Sequence, residues 1–164
     1  MKHVTIYTDG ACRGNPGPGG YGCVLLYEDK NGEMHRLEKS GGFRLTTNNR
    51  MEIYALVAAL EALKTPCRID LYSDSQYVIN AFEKGWLEKW KRFGWYKDAK
   101  RKEKAKNVDL WQRLESAMAP HEISFHWVKG HALNEENNRC DEMAVAAALD
   151  QSSWEEDTEF QKEG

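Results

Sequence analysis

Four acidic residues lie where the sequence pattern could bring carboxylates together. Asp9 ends one predicted strand and Asp74 follows another, and ligands of open α/β sheets bind beyond the carboxyl ends of the strands. Glu52 and Asp141 lie near the starts of two predicted helices, in line with apolar residues. A charged group on an apolar face needs a partner, and a metal ion is one such partner. The pattern is therefore compatible with a metal site built from these four residues.

The residues alone leave a structural interpretation open. The chain has 26 acidic residues, and any four of them could be solvated surface charges. Asp9 could be a turn residue and Asp74 a helix cap, while Glu52 and Asp141 could be favourable charges near helix N-termini. Periodicity by itself does not choose between these alternatives.

The elements that must position these residues alternate between strand and helix. Period-2 and β-branched runs predict strands, helical spacing of apolar residues predicts helices, and Asn31-Gly32 predicts a hairpin turn. The predicted strands are 3–9, 21–28, 34–43, 67–73 and 123–128, and the predicted helices are 48–64, 74–85, 108–118 and 136–150. This order predicts one α/β domain with a mixed sheet, a meander on one side and parallel crossovers on the other.

Composition predicts an ordinary globular protein. Apolar residues make up 41% and charged residues 30% of the 164 residues, which argues against wholesale disorder. No run of about 18 apolar residues is present, so we expect no membrane span. The four cysteines form no CxxC pair, as expected of reduced thiols in a cytosolic protein. We expect a cytoplasmic monomer.

The net charge of −3 conceals two oppositely charged segments. Residues 84–106, here called the basic segment, contain ten basic and three acidic residues, a net +7. Residues 150–164 contain six acidic residues and one lysine, a net −5. The basic segment is a local electrostatic footprint for nucleic acid. The acidic tail is expected to be a solvated, frayed end.

Five sequence blocks resemble those of bacterial ribonuclease HI, in the order typical of that family. They are TDGACRGNPGPGGYG, TTNNRMEIYALVAALEAL, SDSQYV, KNVDLWQRL and WVKGHA followed by NNRCDEMA, spread from residue 4 to about 149. The resemblance implies a five-stranded mixed sheet flanked by helices. It divides the chain into a ribonuclease H domain over 1–149, with the basic segment as its basic protrusion, and an acidic C-terminal tail over 150–164.

The resemblance also implies a reaction and its residues. Asp9, Glu52, Asp74 and Asp141 would be the metal-binding, catalytic carboxylates, and His131 the catalytic histidine. The implied reaction is endonucleolytic hydrolysis of the RNA strand of an RNA–DNA hybrid, leaving 5′-phosphate and 3′-hydroxyl ends. The implied cofactor is Mg²⁺, two ions per active site, for which Mn²⁺ would substitute. Such hard cations prefer oxygen ligands, and repulsion among four acids predicts raised carboxylate pKa values without metal.

Further residues are assigned by the same resemblance to hybrid binding. Amide side chains suit this role because they can both donate to and accept from base edges and the RNA 2′-hydroxyl. The assigned minor-groove residues are Cys12, Asn15, Asn48, Asn49 and Gln76. Thr47 would contact a DNA phosphate, and Trp86 in the basic segment is the candidate aromatic facing DNA. From local sequence alone, Asn48 or Asn49 could instead cap the helix that begins there.

Two alternative functions remain to be distinguished. Transposases, integrases and exonucleases use a related sheet, but proofreading-type exonucleases carry a second acid two residues after the first, where this chain has Ala11. An inactive hybrid-binding module would bind tightly without metal-dependent turnover. The presence of all four acids favours an enzyme.

Overall fold

A six-stranded mixed sheet forms the centre of the computed structural model, which describes residues 1–128 and 134–163. The strands are β1 (Lys2–Cys12), β2 (Gly17–Glu28), β3 (Met34–Thr46), β4 (Cys67–Ser73), β5 (Glu122–Trp127) and β6 (Trp154–Glu155). The helices are α1 (Asn48–Glu61), α2 (Gln76–Glu83), α3 (Trp86–Arg92), α4 (Val108–Met118), α5 (Glu135–Leu149) and α6 (Thr158–Glu163).

The sheet has the order β5-β4-β1-β2-β3-β6. The meander β1-β2-β3 is antiparallel, and β4 and β5 are added by parallel crossovers on the other side of β1. The predicted fold class is thus confirmed. The sixth strand is the difference: β6 comes from the acidic tail and pairs parallel with β3 at Gly42 and Phe43.

The sheet is covered on both faces. The larger core lies between β1, β4 and the helices α1, α2 and α4, and includes the fully buried Ile6, Leu56 and Trp111. On the opposite face, α5 packs against β2. Gly22 makes this close packing possible, because a Cβ there would lie 2.5 Å from the carbonyl oxygen of Cys140.

Several element boundaries differ from those predicted. β1 continues three residues past Asp9, because antiparallel pairing with β2 extends to Cys12. Asp141 lies within α5 rather than at its start. α5 begins at Glu135, one residue before the predicted start, because the Asn134 side chain caps it, accepting hydrogen bonds from the amides of Glu136 and Asn137. Among the described residues the longest helix, α5, has 15 residues and is too short to span a membrane.

Candidate active site

Asp9 and Asp74 are brought together by the parallel pairing of β1 and β4. The register pairs Tyr7 with Tyr72, so the two aspartates, each two residues further along, lie side by side at this end of the sheet. Asp9 is only 7% exposed, and its Oδ1 accepts a hydrogen bond of 2.9 Å from the amide of Gly10. Asp74 directly precedes Ser75, which caps α2, so the alternative of Asp74 as the helix cap is wrong.

Helix packing adds Glu52 and Asp141 to the pair. A Cβ on Gly10 would lie 2.6 Å from the amide nitrogen of Glu52, so only glycine lets α1 approach β1 this closely. Asp141 approaches Asp9 from α5 on the other face of the sheet, close enough for its charge to raise the pKa of Asp9. The charges of Asp74 and Asp141 act on Asp9, and the charge of Asp74 acts on Glu52; the four residues are here called the carboxylate cluster.

The pKa values of Asp9 and Glu52 reflect both their burial and the charges of their acidic neighbours. Burial, followed by the charges of Asp74 and Asp141, raises the pKa of Asp9 to about 8. Burial also raises the pKa of Glu52, with a smaller contribution from Asp74, while hydrogen bonds from Ser75 and Asn48 oppose the increase. A cation among these oxygens would offset the repulsion from Asp74 and Asp141 that, together with burial, favours the protonated form of Asp9.

Two donors hold Glu52 in place. The Asn48 side-chain amide donates to Oε1 at 2.9 Å, and the Ser75 hydroxyl donates to Oε2. Ser75 also accepts from the amide of Val78 at 3.2 Å, so one side chain both begins α2 and orients Glu52. Sequence reasoning missed Ser75, although its position ahead of an apolar helix is a recognisable cap signal.

Five of the predicted hybrid-binding residues lie together beside the cluster, on a surface here called the binding edge. They are Cys12, Asn15, Thr47, Asn48 and Asn49. Asn15 Oδ1 accepts from the Asn48 amide at 3.3 Å, and Cys12 Sγ donates to the Thr46 carbonyl at 3.5 Å. Thr47 caps α1 by accepting from the Arg50 amide, so neither asparagine is the cap that sequence left as an alternative.

The other predicted site residues are more dispersed. Gln76 is exposed in the first turn of α2 and donates to Asn80 at 3.0 Å. Trp86 is half-buried in α3, with its ring 6.2 Å from that of Trp90 and the Lys84 ammonium 5.7 Å above it. His131 lies outside the described residues.

A groove of about 1110 Å³ separates the binding edge from the basic segment. Thr47 and Asn49 line one side, and Lys104 and Lys106 line the other. Nine of the ten basic residues in the basic segment are exposed. Lys91 is neutralised by Glu115 at 2.7 Å. The groove lining thus combines amide and hydroxyl groups with two lysines, and it also includes the carboxylates of Glu103, Asp109 and Glu159.

Another group of possible metal ligands lies in the exposed hairpin between β2 and β3. One ligand atom from each of Asp29, Glu33 and His35 lies within 4.8 Å of the others. Asp29 already accepts hydrogen bonds from the amides of Asn31 and Glu33 and pairs with His35. These contacts explain the group as a stabilised turn.

Comparison with known proteins identifies the family. The RNase H family model matches residues 1–149. The chain belongs to the ribonuclease H family. Ribonuclease H of Syntrophus aciditrophicus is 60% identical over 148 residues, covering 90% of this chain and 82% of the relative. Ribonuclease HI of a Synechocystis strain is 54% identical over 144 residues, covering 88% and 86% of the two chains.

Solved ribonuclease H structures agree with this assignment. LC9-RNase H1, described as a type 1 RNase H with the type 2 active-site motif, has a TM-score of 0.79 at 30% identity, covering 90% of this chain and 72% of its own. LC11-RNase H1, solved in complex with an RNA/DNA hybrid, has a TM-score of 0.58 at 25% identity, covering 88% and 96%. The predictions of family and of an enzyme of the ribonuclease H type are confirmed.

Proposed function

We propose that this ribonuclease H hydrolyses the RNA strand of RNA–DNA hybrids at the carboxylate cluster, with divalent cations, leaving 5′-phosphate and 3′-hydroxyl ends. The observation that carries the proposal is the convergence of four carboxylates from β1, α1, α5 and the end of β4, directly beside the binding edge. Family membership supports the same substrate, since one structural relative was solved with a hybrid bound.

The donor set fits hard cations such as Mg²⁺. All four groups offer oxygen, and Asp9 holds a proton up to about pH 8 because of burial and its acidic neighbours. Asp9, Glu52, Asp74 and Asp141 would hold two Mg²⁺ ions, for which Mn²⁺ would substitute. Bound there, such ions would activate the attacking water and stabilise charge on the attacking and leaving oxygens.

The remaining residues would bind and orient the hybrid. Asn48 links the two functions, because its side chain holds Glu52 while its backbone amide contacts Asn15. An amide oxygen at this position would accept a hydrogen bond from the RNA 2′-hydroxyl and so select RNA. The lysines of the basic segment would contact the DNA strand through phosphate, with salt-sensitive and sequence-independent affinity.

The direct test is cleavage of a labelled RNA–DNA hybrid in Mg²⁺ by the wild type and Asp74→Asn. We expect Asp74→Asn to lose at least about a hundredfold in kcat, the scale of removing one electrostatic catalytic group. Asp70→Asn is the matched control, because it removes a carboxylate from β4 whose partners are His3 and His126. Equal cleavage by Asp74→Asn and the wild type would refute the metal role.

Two further assays separate the alternatives. Strong cutting of duplex DNA without RNA would favour the transposase, integrase or exonuclease reaction. Tight hybrid binding with no turnover at any Mg²⁺ or Mn²⁺ concentration would indicate an inactive binding module.

A further inference from the structure

The acidic tail docks at the edge of the sheet through residues 154–157. After β6 pairs with β3, the Trp154 indole donates to the Ala148 carbonyl at 3.2 Å, and Asp157 turns inward until it is 8% exposed. A buried carboxylate is costly unless it is paired and hydrogen-bonded. The partners of Asp157 therefore decide what this segment does.

Asp157 binds a guanidinium that is more buried than itself. Arg50 is 1% exposed, and its Nε and Nη2 donate to the two Asp157 oxygens at 2.7 and 3.0 Å. The Thr46 hydroxyl donates to Asp157 at 2.6 Å. The other side of Arg50 donates to both oxygens of Asp109 at 2.9 and 2.7 Å. One arginine thus joins α1, the first turn of α4 and the tail.

The two residues that Asp157 binds flank three residues of the binding edge in sequence. Thr46 precedes and Arg50 follows Thr47, Asn48 and Asn49. A single carboxylate therefore fixes both ends of the turn that presents these three side chains. The tail reaches the groove as well, since Phe160 lines it together with Thr47 and Asn49.

We propose that Asp157 is a positioning residue for hybrid binding, which acts by holding the turn between β3 and α1; this inference rests on the proposed function. Glu52 is also held by Ser75, which begins α2 and lies outside this turn. Loss of Asp157 should therefore weaken hybrid binding more than the chemical step. Small displacements of positioning groups can cost up to about a hundredfold.

The test is steady-state hybrid cleavage in Mg²⁺ by the full-length wild type, Asp157→Asn and Glu156→Gln. For Asp157→Asn we expect KM to rise about tenfold, with kcat within about twofold. Glu156→Gln is the matched control, since it breaks an exposed ion pair between the same tail and Arg44 of β3. Its KM should stay within about twofold of the wild type.

Circular dichroism establishes that each variant is folded at the assay temperature. If Asp157→Asn does not fold, the Thr46→Val variant is tested in its place. Valine keeps the shape of the threonine side chain but removes one hydrogen bond to Asp157, so KM should rise about threefold. An unchanged KM in the folded variant, with only a lower unfolding midpoint, would overturn the positioning role. A wild type that does not cleave the hybrid would overturn the proposed function first.

Discussion

Replacing Asp9 by asparagine should stabilise the metal-free protein at neutral pH while abolishing its activity. Asp9 is 7% exposed, and burial with the charges of Asp74 and Asp141 raises its pKa from 3.8 to about 8. Below pH 3.8 both the folded and unfolded states hold the proton. Between that pH and about 8 only the unfolded chain ionises, so the free energy of unfolding falls as pH rises.

The magnitude follows from this pKa difference. Each pH unit between the two values removes about 1.4 kcal/mol, which gives a ceiling of about 5 kcal/mol at pH 8. Asp74 and Asp141 are only partly buried, so solvent screens part of their repulsion of Asp9. We therefore expect Asp9→Asn to be about 2–3 kcal/mol more stable than the wild type at pH 8, and equal to it near pH 4.

Urea denaturation in EDTA at several pH values between 4 and 8 measures the effect. Asp70→Asn is a control of opposite sign, because His126 and His3 lower the pKa of Asp70 and its charge contributes stability above pH 3.8. Mg²⁺ at about 100 times Kd should stabilise the wild type by about 2.7 kcal/mol and Asp9→Asn far less. The reasoning would be refuted if Asp9→Asn were no more stable than the wild type at pH 8. It would also be refuted if the variant's extra free energy of unfolding were as large at pH 4 as at pH 8.

Three further predictions address other parts of the site. Ser75→Ala should lower the rate of hybrid cleavage about tenfold, because Glu52 loses a hydrogen bond, and should lower the free energy of unfolding by about 1 kcal/mol, because α2 loses its cap. Ser75→Thr should keep the activity and the stability of the wild type. Cleavage kinetics and denaturation measure the two effects. Lys104→Gln should reduce the slope of log affinity against log salt by about 1, whereas the paired Lys91 can be replaced by glutamine without effect. Gly22→Ala should force α5 away from the sheet, costing about 1–3 kcal/mol of stability and weakening Mg²⁺ binding in calorimetry.

Each of these has a contrary outcome. Full activity in a folded Ser75→Ala protein would mean that Glu52 needs no second support. Identical salt slopes for both lysine variants would move the DNA contact away from the groove. Unchanged Mg²⁺ affinity in Gly22→Ala would mean that the approach of α5 does not set the position of Asp141.

The meeting of Asp9 and Asp74 could be predicted from sequence because parallel strands in register bring their carboxyl ends to one edge. The positions of Glu52 and Asp141 could not, since they depend on how closely two helices approach the sheet. Gly10 and Gly22 permit that approach, and nothing in the hydrophobic periodicity shows which glycines face a helix. For these two acids, family resemblance supplied what local pattern could not.

The acidic tail departs from the charge-based prediction at Asp157, which is buried, whereas Asp150, Glu155, Glu156 and Glu159 are exposed. A run of acids is expected to be solvated, because ionised carboxylates lose more by burial than they gain without a partner. That expectation did not consider Arg50, which lies in the first turn of α1 and is only 1% exposed. A buried arginine that already binds Asp109 still has donors to satisfy, and Asp157 satisfies them from 107 residues away along the chain. Whether a charged segment is solvated or docked therefore depends on buried charges elsewhere in the fold that need a partner. The composition of the segment itself does not show those charges.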